Sequence, residues 1–232
     1  MAGNHQQVRV PLFPLSRRRL LGGAALCLVL VAAGIFVLIV SRRKETAYFD
    51  AADIAPLLQD GDVLCRLGDR IWSRYFREVS PHDKRFSHLG IVRETGGTVT
   101  VINAEGLAIE GKDYVNEVTL QDFLDSATEI GVYRLRDGEG KALAEAALEF
   151  KGRPFDWDFD LESEDRLYCT ELLYAVLKRV APEVSLATVW LNPPGRAVVP
   201  PEACSQSERF TEVCYLRLIY LYIDQFSEQV NG

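Results

Sequence analysis

The sequence predicts an α+β domain behind one apolar N-terminal segment. Strand-like runs and helical periodicities are interspersed at irregular intervals, which argues against a doubly wound parallel fold. Two of the β-rich runs, Phe86 to Thr95 and Thr98 to Glu105, are separated only by Gly96-Gly97. Two glycines between such runs signal a hairpin, because the primed turns that suit hairpins need positive φ. A hydrophobic content of 48% is compatible with a packed core.

Charge divides the chain. Of its 26 Lys and Arg, seven lie in residues 1–44, where there is no Asp or Glu, leaving 19 basic against 33 acidic side chains in the remainder. So acidic a remainder excludes nucleic acid as a partner and is a poor candidate for an anionic membrane surface. Within the basic part, Leu20 to Val40 is a run of 21 residues without a charge. At about 1.5 Å per residue, such a helix matches a bilayer core of roughly 30 Å. Arg17-Arg18-Arg19 precede it and Arg42-Arg43-Lys44 follow it. With Arg9 the N-terminal flank leads narrowly, which favours the N-terminus inside and the domain outside. Ser16-Arg17-Arg18-Arg19-Leu20-Leu21 also looks like a twin-arginine export motif, but the run is long for a cleaved signal and lacks an A-x-A site. The expected organisation is a basic tail over 1–19, a transmembrane signal-anchor over 20–40, a linker and connecting helix over 41–57, and the domain over 58–232. The location this implies is a bacterial inner membrane, crossed once, with the domain periplasmic or otherwise extracytoplasmic. The reverse orientation is the alternative.

In chain order, Ala47–Gln59 reads as a connecting helix ended by Asp60-Gly61, and Asp62–Leu67 as a first strand. Arg70–Val79 has Ile71, Trp72, Tyr75 and Phe76 at helical spacing, the pattern of a core-facing stripe. The hairpin follows. If Thr95 faces Thr98, opposed residues have numbers summing to 193, so His88 faces Glu105, with Cβ atoms about 4.5–5.5 Å apart. A strand is expected within Leu107–Val118, then Thr119 as N-cap of a short helix. Ile130–Arg136 reads as a strand and Gly140–Lys151 as a helix closed by Gly152. Arg153–Arg166 is an acidic loop whose spacing fails the EF-hand pattern, with Leu161 at the glycine position and Leu167 at the twelfth; a solvated loop is the better reading. Tyr168–Val180 is a helix with Leu172, Leu173, Val176 and Val180 on its apolar face. Trp190–Pro201 reads as an extended crossing segment, Pro201–Ser207 as a turn of helix, and Glu208–Tyr222 as the strand that closes the sheet.

The chemistry begins at the start of the last helix. Cys169 occupies its first turn, where free N–H groups and the helix dipole favour a thiolate. Five cysteines are present and none is spaced C-x-x-C, so no zinc or thioredoxin-like site is expected. Cys204 and Cys214 could pair in an oxidising compartment or serve as small buried hydrophobes. A thiol hydrolase also needs an imidazole and a group to hold it. Of the three histidines, His5 lies in the tail and His82 in a charged loop; His88 alone sits in an apolar strand, with Glu105 beside it by register.

Gly61-Asp62-Val63-Leu64, Phe86-Ser87-His88-Leu89-Gly90-Ile91-Val92, Asn103-Ala104-Glu105-Gly106 and Tyr168-Cys169-Thr170-Glu171-Leu172 together resemble the circularly permuted NlpC-type papain-like cysteine hydrolases, in their YiiX/YebB-like amidase branch. Phe155-Asp156-Trp157 and Val199-Pro200-Pro201-Glu202 extend the likeness over roughly residues 58–215. The resemblance implies a papain-like antiparallel sheet packed against helices, Cys169 as nucleophile, His88 as general base and Glu105 as the group that orients it. Tyr168 and Asp62 are further oxyanion or substrate-binding candidates, with simple packing the alternative for Tyr168, and no cofactor or metal is expected. The implied substrate carries an amide or acyl group, with cell-wall peptide suggested by location. An acyl-lipid or thioester hydrolase or acyltransferase, or a binding module without catalysis, is the competing expectation.

Overall fold

A computed structural model describes residues 49–107, 112–138, 140–192 and 195–218. Residues 1–46 and 47–232 fall into two units. The apolar run Leu20 to Val40 lies outside the described residues, and no described helix is long and apolar enough to cross a membrane.

The connecting helix is shorter than its expected span. Helix α1 covers Ala51–Ile54, opened by Asp50, whose carboxylate accepts the Ala52 N–H at 2.8 Å. Pro56 then turns the chain into a 3-10 stretch, Ala55–Leu57. The order continues β1 (Val63–Gly68), α2 (Ile71–Arg77), β2 (His88–Thr95), β3 (Thr98–Leu107), β4 (Lys112–Thr119), α3 (Leu120–Leu124), β5 (Ala127–Leu135), α4 (Gly140–Leu148), α5 (Cys169–Val180), β6 (Val189–Leu191), β7 (Arg196–Val198) and β8 (Phe210–Arg217). Six strands form one antiparallel sheet in the order β4-β3-β2-β1-β5-β8. Thr119 caps α3 through its side chain, as its sequence position predicts. Trp190–Pro201 departs from the extended crossing that its prolines predict: β6 and β7 pair as a small hairpin of their own.

The β2–β3 turn has φ of +59° at Gly96 and +84° at Gly97, both in the left-handed region that a type I′ turn requires. The ladder runs Thr95↔Thr98, Glu94↔Val99, Arg93↔Thr100, Val92↔Val101, Ile91↔Ile102, which is the register expected from the sequence. It stops there, short of His88 and Glu105.

Side chains alternate across the sheet. Val63, Cys65, Leu89, Ile91, Ile102 and Ala104 enter a core shared with α4 and α5. Leu64, Val92, Val101, Ile130 and Val132 enter a second core under α1 and α3, with Leu120, Phe123 and Leu124. Helix α5 lies on the first face against β2 and β3, burying Leu172, Leu173 and Val176. Truncating a leucine as buried as Leu173 would cost about 2–5 kcal/mol. By contrast α2 buries nothing: Ile71, Trp72 and Tyr75 are exposed, and only Phe76 of the expected stripe turns inward, against Phe159. The stripe has the period of a core helix, but no described element packs over Ile71, Trp72 and Tyr75.

Candidate active site

Cys169 is the first residue of α5, half-buried, with Tyr168 extended at the N-cap (φ −90°, ψ 172°). The helix start is held from several sides. The Tyr168 N–H donates to Glu171 Oε2 at 3.2 Å, which places an acceptor on a donor that the helix leaves free. The Tyr168 hydroxyl accepts the Val199 N–H at 2.9 Å, and Thr170 Oγ1 donates to the Val199 carbonyl at 2.6 Å. Three residues on, the buried carboxylate of Glu202 accepts the N–H groups of His82 (2.9 Å) and Asp83. The segment Val199-Pro200-Pro201-Glu202 thus fastens the cysteine helix to the loop that leads into the histidine strand. Tyr168 is buried with its hydroxyl engaged, so it is a structural anchor here.

His88 opens β2 on the face opposite α5. By parity it shares that face with Gly90 on its own strand, Asn103 and Glu105 on β3, and Arg66 on β1, which pairs directly with it. The imidazole reaches the diagonal neighbour: His88 Nε2 lies 2.9 Å from Asn103 Oδ1. Glu105, expected to hold the ring, makes its bond elsewhere, accepting from Arg66 Nη2 at 3.0 Å. The reason is local. Gly90 leaves a space that a Cβ would fill, 2.5 Å from Val101 Cγ1 and 3.0 Å from Asn103 Cβ, and Asn103 leans toward the ring through it. Arg66, meanwhile, is pinned by the carbonyls of Phe123 (2.8 Å) and Asp125 (3.2 Å), which leaves its other arm for the carboxylate. Phe123 lies under both groups, its centroid 5.6 Å from the His88 ring and 4.8 Å from the guanidinium carbon.

Asn103 is itself oriented. Its Nδ2 donates to Asn116 Oδ1 at 2.8 Å, and both side chains are buried. Its amide oxygen is therefore the atom turned to His88, so Nε2 must carry the proton and donate. The neutral imidazole then has its lone pair on Nδ1, the nitrogen that can act as a base.

The sulfur lies where the hairpin opens. Continuing the register past Ile91↔Ile102, Leu89 would face Ala104, but those residues do not pair. The Leu89 N–H acts instead on the Cys169 thiol, as do the N–H groups of Thr170 and Cys169 and the charge of Arg66, all drawing its pKa down. Burial outweighs them and pushes the thiol up to about 11, so the thiolate expected from the helix start alone is not the resting form. Burial, with Arg66 beside it, pulls His88 down to about 3 against the support of Asn103. The resting pair is a neutral thiol and a neutral imidazole. Glu171, buried near Asp156, Asp160 and Glu164, is raised to about 8.

One expected candidate, Asp62, is placed away from this chemistry. Asp62 is buried at the other end of β1, where its carboxylate binds Arg134 Nε at 2.7 Å and Nη2 at 2.8 Å and accepts the Gln59 N–H at 2.9 Å. With three donors on it, this carboxylate ties β1 to β5 through Arg134. Cys204 packs against Cys65 in the α5 core, whereas Cys214 packs against the other core, so the sheet lies between the two cysteines considered as a pair. Sequence reasoning passed over Asn103, Asn116 and Arg66. The signal was available in the register itself, since Asn103 lies opposite Gly90 and Arg66 is a lone cation in an apolar strand. Among the described residues no three His, Cys, Asp or Glu side chains gather to hold a metal ion.

The profile of the permuted papain-like amidase family of YaeF and YiiX, family C92, matches residues 58–197. Among solved structures the chain is similar to YiiX from Escherichia coli O157:H7, described as a metalloprotein, with a TM-score of 0.58 at 20% identity over 69% of this chain and 98% of that one. A search of curated proteins finds no match. With an antiparallel sheet, a histidine strand preceding a cysteine helix, and a family match over more than half its length, the chain belongs to the permuted papain-like amidases and is a cysteine hydrolase.

Proposed function

We propose that this protein hydrolyses an amide bond through Cys169 and His88, with Asn103 orienting the imidazole and Glu105 acting through Arg66. The observation that carries this reading is the His88–Asn103–Asn116 chain of hydrogen bonds, one residue along β2 from the Leu89 N–H that acts on the Cys169 thiol. Because the resting pair is neutral, proton transfer accompanies attack. The thiol proton moves to His88 Nδ1 as the sulfur bonds to the carbonyl carbon, and the carbonyl π electrons move onto oxygen. The N–H groups at the start of α5 supply the positive potential that such an oxyanion needs, Cys169's own N–H among them. Collapse of that adduct breaks the C–N bond, and the imidazolium gives its proton to the leaving nitrogen. Water, deprotonated by His88, then cleaves the thioacyl-enzyme and restores the thiol.

The run Leu20 to Val40 supports a membrane-anchored enzyme with its domain on the extracytoplasmic side, and that setting favours cell-wall peptide as the amide substrate. Turnover of peptidoglycan fragments and acyl amides by the full chain tests both points. Cys169→Ala should abolish hydrolysis with little change in melting temperature. Surviving activity in that variant would remove Cys169 from the mechanism, and activity on acyl amides alone would remove the cell wall.

A further inference from the structure

The exposed stripe of α2 has no use in the reaction. Ile71, Trp72 and Tyr75 are 77%, 65% and 60% exposed, on a helix that buries no residue. Arg70 and Arg74 are exposed among them and Arg77 lies in the last turn. Ile71–Arg77 contains no acid; the flanking acids are Asp69 and Glu78, and Glu78 is engaged by Lys84 and by Arg77 (3.8 Å). In a region with 19 basic and 33 acidic side chains, this is a local reversal of sign on an aromatic surface.

We propose that this face docks on an anionic phospholipid surface, with Trp72, Tyr75 and Ile71 at headgroup depth and Arg74 against lipid phosphate. Trp and Tyr favour such an interface because each joins an apolar ring to a polar edge. Three apolar side chains are far too few for a protein partner, whose interface takes roughly 20–30 residues a side. They suffice where a tether supplies local concentration. The uncharged run ends at Val40 and the first described residue is Phe49. The intervening residues 41–48 reach at most about 28 Å when fully extended. The domain then stays close to a bilayer surface, an argument that rests on the anchoring reading above. Phe76 of the same helix touches Phe159 (centroids 6.2 Å apart), and Phe159 touches Tyr168 (5.1 Å), the N-cap of the Cys169 helix. Docking would therefore fix the height of the active site above the membrane.

The test uses the full chain with Trp157→Phe and Trp190→Phe, so that Trp72 is the remaining tryptophan. It is placed in vesicles of phosphatidylcholine with or without brominated phosphatidylglycerol. Quenching of Trp72 emission by about two-fold in brominated vesicles, weakened by Arg74→Glu and by salt, is the expected result. Alkaline carbonate extraction of the same vesicles reports the anchor separately. A chain that resists extraction while Trp72 stays unquenched overturns docking and leaves the anchor standing. A chain that is extracted yet quenched overturns the anchor and leaves docking standing; extraction without quenching removes both. Protection of Trp72 from acrylamide in detergent, without lipid, would show that another segment of the chain covers the face, and would also overturn docking.

Discussion

The two ends of the β2–β3 hairpin are made from the same strands and serve opposite purposes. At the turn, five successive pairs close the ladder and the cross-strand neighbours are the expected ones. At the far end the ladder lapses, the Leu89 N–H is given to a thiol, and His88 takes a diagonal partner. A closed ladder satisfies backbone groups with one another. An open one leaves them for chemistry, provided that other elements hold the strands apart, and here β4 holds β3 through Asn103↔Asn116 and Glu105↔Tyr114 while β1 holds β2 through Arg66↔His88.

The strongest way to break this contrast is to fill the space at Gly90. In Gly90→Val the new Cβ lies 2.5 Å from Val101 Cγ1, closer than real Cβ atoms come, and 3.0 Å from Asn103 Cβ, so Val101 must shift and Asn103 is pressed out of its place beside the imidazole. Activity should fall to background, and overpacking should cost about 1–3 kcal/mol of stability in a denaturant titration. The control at the closed end, Thr98→Ala, should stay within about 0.5 kcal/mol and keep full activity. Equal losses in the two variants would show that the ends are not functionally distinct.

Asn103→Ala isolates the hydrogen bond from the packing. Without its acceptor the Nε2–H no longer fixes the tautomer, and kcat/KM should drop by about 100-fold with KM little changed. Asn116→Leu removes only the group that orients the Asn103 amide, so a smaller drop is expected, of about 3–10-fold. A larger loss in Asn116→Leu than in Asn103→Ala would contradict the proposed order of action.

How much of this was legible follows the same division. Hairpin, turn type, register, the helix starting at Cys169 and the closing strand were all readable, because glycine pairs, period-two alternation and helix caps act over a few residues. The face shared by His88, Asn103 and Glu105 was readable too. Which of the two β3 side chains takes the ring was not, since it depends on the volume left by Gly90 and on the carbonyls of Phe123 and Asp125 that hold Arg66. The α2 stripe failed for a similar reason: periodicity reports that a helix has an apolar face, and only topology supplies a layer to cover it. The thiol failed on magnitude, because a helix start lowers its pKa and deeper burial raises it more.

Arg66 and Glu105 sharpen the open end further, with a smaller effect. With the thiol near 11, alkylation by iodoacetamide should climb about tenfold per pH unit through the neutral range, where a preformed thiolate would give a plateau. Glu105→Gln leaves the Arg66 charge unbalanced beside the sulfur and the ring. The alkylation profile should then move to lower pH while hydrolysis weakens several-fold, because the imidazole becomes a poorer base. Arg66→Gln should move the alkylation profile to higher pH. Opposite displacements identify an electrostatic role, since loss of packing would move both variants the same way.

The smallest effect concerns Glu171, which serves the helix start without touching the reaction. Its carboxyl titrates near 8 in the folded protein, above the ordinary carboxylate value of about 4.3 in an unfolded chain. The folded state therefore holds a proton that the unfolded state has released between those values. The stability this confers is complete below about pH 4 and is lost as pH rises through 8. Glu171→Gln keeps an amide oxygen for the Tyr168 N–H and removes the charge that burial and the neighbouring acids oppose. At pH 9 the variant should be more stable than the parent by about 1 kcal/mol or more, with the advantage shrinking toward pH 4 and kcat/KM unchanged. Thermal melts across that range decide it. A variant less stable at pH 9 would mean that the ionised carboxylate supports the N-terminus of α5 directly, and that the helix start gains more from the charge than burial takes away.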